Sequence, residues 1–161
     1  MKRKFYLILA FCLILISSGI FAQRQETSAK FVITDASSNG VDITPYVLEA
    51  GLYTVFYTSD DDGLLYMANV SPNQESQSYG PIYSSQMASY DETYETYKAE
   101  IFYYNWRYIN DYDSKKGTAK VQFTKIYKQQ GIAFTMKIIT EDLDVSIYEG
   151  YMQGSIDFSK Y

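Results

Sequence analysis

The segment from Tyr97 to Ile139, YKAEIFYYNWRYINDYDSKKGTAKVQFTKIYKQQGIAFTMKII, constrains the rest of the chain more than any other. It alternates polar with apolar residues, is rich in β-branched and aromatic side chains, and is interrupted twice by short polar runs ending in glycine. That pattern predicts three consecutive antiparallel strands. Ser114–Gly117 (SKKG) and Lys128–Gly131 (KQQG) read as four-residue hairpin loops, each glycine supplying the left-handed conformation that ends such a loop. Asp113 then faces Thr118, and Tyr127 faces Ile132. Phe102, Tyr104, Trp106 and Tyr108 fall on one sheet face with Val121, Phe123 and Tyr127, and with Ile132, Phe134, Met136 and Ile138. The other face collects Tyr103, Asn105, Arg107, Lys120, Gln122, Thr124, Thr135 and Lys137. A slip of one residue would set rings against lysines, so the hydrophobic pattern supports the register. Lys125 is the charged side chain on the apolar face, expected between Trp106 and Phe134.

The beginning of the chain has a different character. Met1–Ala22 opens with Lys2, Arg3 and Lys4, continues with an apolar run from Phe5 to Ile16, and has a Ser-Ser-Gly turn before Ile20-Phe21-Ala22. It reads as a secretory signal peptide cleaved before Gln23, the apolar run being short for a membrane span. Residues 23–29 read as a flexible leader, and residues 30–161 as a single all-β domain. Removal of the signal takes Cys12, the one cysteine, so packing rather than a disulfide must hold the domain. It also leaves 11 basic against 19 acidic residues, a net charge of −8. Such a chain is poorly suited to nucleic acid, whose phosphates require clustered Lys and Arg.

Lys30–Asp35 predicts a short strand that ends at a Ser-Ser-Asn-Gly turn. Thr44, Pro45 and Gly51 have the spacing of an N-cap, a first helical residue and a C-terminal glycine, predicting a helical turn that closes an end of the sheet. Leu52–Thr58 and Leu64–Val70 form a hairpin around Asp60-Asp61-Asp62-Gly63. Its contiguous carboxylates lack the alternating spacing and distant Glu of a calcium loop. Ser71–Ser78 reads as a loop, and Tyr79–Ser84 as an edge strand because Pro81 has no N–H for a central ladder. Ser89–Glu92 has capping-box spacing, which would place Tyr90, Tyr94 and Tyr97 on one helical face. After the meander, Leu143–Tyr148 and Met152–Phe158 predict two last strands broken at Glu149-Gly150.

Counted from Gly51, about eight antiparallel strands with short connections predict an up-and-down barrel, with a two-sheet β-sandwich as the alternative. Gly51-Leu52-Tyr53, following the Thr44-Pro45 turn, resembles the Gly-x-Trp that opens the first strand of lipocalin-like barrels, with Tyr in place of Trp. The strand before Gly51 and the missing helix after the last strand depart from that pattern. The resemblance implies a closed barrel with an internal ligand site.

The chain has no histidine, and the processed chain no cysteine. This removes Ser-His-Asp and Cys-His catalysis and imidazole or thiolate metal sites, and no Gly-rich phosphate loop is present. The expectation is therefore an exported, periplasmic or secreted, non-catalytic protein without a cofactor or metal, binding an apolar or amphipathic small molecule inside its barrel. Candidate ligand residues are Tyr104, Trp106, Tyr108, Phe123, Lys125, Phe134 and Met136. If they wall a cavity, Lys125 would meet an anionic end; if they form a filled core, it would extend over Trp106 and carry its ammonium to the rim. The alternative is a Tyr-rich outer face, Tyr79, Tyr83, Tyr94, Tyr103 and Arg107, that holds a glycan or a partner protein at the cell envelope.

Overall fold

Closure of the sheet depends on the strand nearest the N-terminus. The computed structural model describes residues 27–87 and 98–158, with backbone alone for residues 27, 28 and 84–87. The residues read as signal peptide, those read as leader up to residue 26, and the stretch Ser89–Glu92 read as a helical turn, with Tyr90, Tyr94 and Tyr97, lie outside the described residues. The strands are β1 (Thr27–Ser38), β2 (Val41–Asp42), β3 (Tyr53–Thr58), β4 (Leu65–Ser71), β5 (Ser76–Met87), β6 (Lys98–Asn110), β7 (Lys116–Lys128), β8 (Gly131–Thr140) and β9 (Val145–Gly154). They follow the order β2-β1-β3-β4-β5-β6-β7-β8-β9, and β1 also pairs with β9 from Ala29↔Gly154 to Ser38↔Ser146. The result is a closed, antiparallel, eight-stranded up-and-down barrel with β2 as a two-residue addition, a lipocalin-like architecture. Closure rules out the two-sheet sandwich.

The strand before Gly51 is thus part of the barrel, not an extra, and it starts at Thr27 within the stretch read as leader. The predicted last pair of strands is instead the single strand β9, running through Glu149 and Gly150. Gly150 serves close approach rather than a turn: a Cβ there would lie 1.9 Å from the Val32 carbonyl oxygen of β1. With one strand gained and one lost, the count stays at eight. The Gly51-Leu52-Tyr53 motif consequently opens the second barrel strand, not the first.

Gly117 misled the register for a related reason. It lies inside β7, where a Cβ would meet the Tyr108 ring at 2.6 Å, and the left-handed turn residue is Ser114, φ 56°. The loop is Asp111–Ser114, closed by the Asn110 N–H donating to the Lys115 carbonyl at 2.8 Å. Thr118 therefore faces Arg107, six residues before Asp113. Because that offset is even, every side chain keeps its predicted face. In the second hairpin Tyr127 faces Ile132 as predicted, and a further Lys128↔Gly131 pair shortens the turn to Gln129 and Gln130. The β3–β4 hairpin closes around Asp60–Gly63 as read, Ser59 N–H donating to the Leu64 carbonyl at 3.0 Å.

The region read as loop and edge strand is also different. Only the 3-10 turn Pro72–Gln74 and Glu75 separate β4 from β5, and Pro81 sits mid-strand opposite Tyr66 of β4. A closed barrel has no edge on which to place it. The β5–β6 pairs Tyr79↔Ile109 and Ile82↔Trp106 flank Gly80 and Pro81.

Helix α1 (Thr44–Ala50) has Pro45 in its first turn and ends at left-handed Gly51 (φ 67°). Thr44 does not cap it; its hydroxyl bonds across to β1, accepting the Ala36 N–H at 2.9 Å and donating to the Ala36 carbonyl at 3.2 Å. Val47 and Ala50 are buried, and Ile43 and Leu52 pack on the core, so α1 closes the barrel end reached by the β4–β5, β6–β7 and β8–β9 connections. Mid-barrel is filled by Phe31, Phe56, Leu65, Met67, Val121, Phe123 and Met136, with Phe123 edge-on to Phe31 and Phe56 at 5.7 and 5.6 Å. The opposite end, with the β3–β4 and β7–β8 turns and the end of β9, is the mouth.

Candidate binding site at the barrel mouth

Alternation along β6, β7 and β8 carries Glu100, Phe102, Phe123, Lys125, Ile132 and Phe134 onto the inner face near the mouth. With the end of β9 and the segment Ser155–Phe158 they line a cavity of about 660 Å³. That volume is within the roughly 300–1,000 Å³ of small-molecule sites. The wall is mostly apolar, built from Phe102, Phe123, Ile132, Phe134, Met152, Ile156 and Phe158.

Its charged side chains are Lys125, Glu100 and Asp157, and the first two form a pair. Register sets Lys125 opposite Glu100 and Phe134, not opposite Trp106. The Lys125 ammonium lies 3.5 Å from the Glu100 carboxylate and 4.7 Å from the centre of the Tyr127 ring, while the Tyr127 hydroxyl donates to Glu100 Oε1 at 2.9 Å. Interaction with Tyr127, then the charge of Glu100, holds the Lys125 ammonium above its ordinary pKa, against partial burial that lowers it. Lys125 is therefore already engaged, and a lone anion would compete with Glu100 for it. A neutral or zwitterionic polar group suits this pair better.

The predicted ligand residues divide along the barrel axis. Phe123, Lys125 and Phe134 line the cavity. Tyr104, Trp106 and Met136 are buried in the filled interior, Trp106 donating from Nε1 to the Gly80 carbonyl at 3.2 Å. Tyr108 stacks obliquely on Trp106 at 4.6 Å, and its ring extends toward Gly117 at the far end. Glu100 was missed because the assumed β6–β7 register placed Trp106 beside Lys125. Ile156 and Phe158 were missed because they were read as strand.

On the outside, Arg107 places its guanidinium 4.6 Å from the centre of the Tyr83 ring. Tyr66, Tyr79, Tyr83, Arg107 and Glu141 share a groove of about 510 Å³ over β4 to β7. Tyr103, also exposed, stands apart from it, and Tyr94 lies outside the described residues. At the β3–β4 tip, Asp62 accepts from the Leu64 N–H at 2.9 Å and the Tyr66 hydroxyl at 2.9 Å. The Leu64 bond leads in holding its carboxyl below the usual range, while burial, then Asp62, push the Tyr66 hydroxyl up to about 12. No group of three or more potential metal-ligating side chains occurs among the described residues. No protein-family model, curated protein or solved structure matches the chain.

Proposed function

We propose that the chain is an exported, non-catalytic binding protein whose barrel mouth holds an apolar or amphipathic small molecule. The observation that carries this reading is the cavity of about 660 Å³, in which apolar rings meet the Lys125–Glu100 pair. An apolar tail gains about 0.8 kcal/mol for each methylene buried against Phe102, Phe123 and Phe134, and the polar end meets Lys125, Glu100 and Tyr127. The chain has no histidine to act as a neutral-pH base, which favours binding over catalysis. Export rests on the sequence of residues 1–22. No helix among the described residues is long and apolar enough to cross a membrane. The barrel's polarity, rings inside and Lys120, Gln122, Asn105 and Arg107 outside, is the reverse of a membrane-spanning barrel and supports an aqueous setting.

Calorimetric titration below the micellar concentration tests the reading with three probes of equal tail length: dodecylphosphocholine, dodecanoate and dodecylamine. Saturable one-to-one binding, strongest for the zwitterion and weakened by Phe134→Ala, is expected. Absence of saturable binding for all three contradicts it.

A second reading is favoured by the Arg107–Tyr83 stack beside Tyr79 and Glu141 in the outer groove. Aromatic faces flanked by charged hydrogen-bonding groups suit a glycan, and Tyr83→Ala would remove that binding while leaving the mouth intact.

A further inference from the structure

The mouth cavity ends on a side chain that is not part of the sheet. After left-handed Gly154 (φ 80°) the chain leaves β9 and crosses the mouth, with Ser155 and Asp157 exposed and Phe158 buried to 5 % exposure. The Phe158 ring lies among four inward-facing rings, 5.0 Å from Phe123, 5.1 Å from Phe56, 5.3 Å from Phe102 and 5.5 Å from Tyr104. It lines the cavity on one side and touches Tyr104 on the other.

Tyr104 supplies an independent observation. It is 2 % exposed, and its hydroxyl is a buried side-chain polar atom with no hydrogen-bond partner among the described residues. Buried hydroxyls are normally paired, and an orphan calls for an explanation. The phenyl ring packed against Tyr104 offers no conventional acceptor. Every strand pair of the barrel is made without Ser155–Phe158, so lifting this segment breaks no ladder.

We infer that Phe158 is a self-ligand occupying an inner subsite, which a flat aromatic or cyclic group bearing a hydrogen-bond acceptor enters by displacing it. The inference rests on the mouth reading and extends it inward. Phe56, Phe102 and Phe123 would sandwich the incoming ring, and Tyr104 would donate to its acceptor. Apparent affinity in the wild type is then reduced by the fraction of molecules with Phe158 seated.

The test uses the full chain and a matched pair of probes, 2-acetylnaphthalene and 2-ethylnaphthalene, which differ by one carbonyl oxygen. Phe158→Ala should bind 2-acetylnaphthalene at least about tenfold more tightly than wild type, and should prefer it over 2-ethylnaphthalene. Adding Tyr104→Phe should abolish the preference. Phe158→Leu keeps an apolar plug and should fall between wild type and Phe158→Ala. In wild type, which needs no altered core, saturating 2-acetylnaphthalene should speed amide hydrogen exchange in Ser155–Phe158 without affecting β9. No gain in affinity on Phe158→Ala or Phe158→Leu, or no change in exchange on saturation, overturns the inference. If dodecylphosphocholine still binds while these results are negative, the self-ligand fails and the mouth site stands. If dodecylphosphocholine also fails to bind, the mouth reading falls with it.

Discussion

Gly80→Ala is expected to damage this barrel far more than its one added methyl suggests. A Cβ at position 80 would lie 1.9 Å from the Arg107 carbonyl oxygen, 2.9 Å from its carbon and 3.1 Å from Tyr108 Cα. Non-bonded heavy atoms settle at about 3.5 Å, and the obstructing atoms are backbone, so β5 and β6 must part locally by more than an ångström. That weakens the flanking Tyr79↔Ile109 and Ile82↔Trp106 pairing and pulls the Gly80 carbonyl away from the Trp106 indole N–H, now 3.2 Å distant. Two ladder bonds at about 1 kcal/mol each, and a buried indole donor left unpaired at about 1–3 kcal/mol, give about 3–5 kcal/mol in all. Domains of this size are stable by about 5–15 kcal/mol, so a large part of the total is lost. Gly117→Ala is the control. Its Cβ would lie 2.6 Å from Tyr108 Cζ and hydroxyl oxygen, the far end of a side chain that can swing aside, and should cost about 1–2 kcal/mol. Urea denaturation followed by far-UV circular dichroism and Trp106 fluorescence measures both. A Gly80→Ala loss below about 1 kcal/mol, or a larger loss from Gly117→Ala, refutes the reasoning.

Tyr104→Phe removes a hydroxyl that has no partner among the described residues and should raise the free energy of unfolding by about 1 kcal/mol, measured by the same denaturation. Glu100→Gln removes the carboxylate from Lys125; because both side chains are partly exposed, stability should change by less than about 1 kcal/mol, whereas calorimetry should show dodecanoate gaining on dodecylphosphocholine. The pKa of Lys125 is raised in the folded protein, so its stabilising contribution is complete below the ordinary value of 10.5 and is lost only as pH rises through the higher folded value. Head-group binding at Lys125 should accordingly stay level from about pH 6 to about pH 9 and decline only above the ordinary lysine range, which titrations at fixed ionic strength will show.

Alternation made the inner face readable from sequence. Phe102 to Tyr108, Val121 and Phe123, and Phe134 to Ile138 share the face predicted for them, because even the wrong β6–β7 loop preserved parity. What sequence could not supply was the reason for each glycine. Gly117 and Gly150 sit in strands beside a ring and a neighbouring backbone, but in a linear sequence they look the same as Gly63, which does end a turn with φ 68°. Pairing between β1 and β9 is likewise invisible, since it joins residues more than a hundred positions apart and no local signal marks closure. The site suffered from the same limits: Lys125 stood out as a charge among rings, yet its partner Glu100 emerges only from the true register. Phe158 carried a strand-like signal but follows the last strand and packs inward instead.

The central claim is that the mouth, and not the outer groove, is where this barrel holds its ligand. Chemical-shift mapping of isotopically labelled protein titrated with dodecylphosphocholine below its micellar concentration tests it most directly. The account predicts saturable shifts concentrated at Phe102, Lys125, Ile132, Phe134 and Ile156, with Tyr79, Tyr83 and Arg107 unmoved. Shifts confined to Tyr79, Tyr83 and Arg107, or no saturable shifts anywhere, would contradict it.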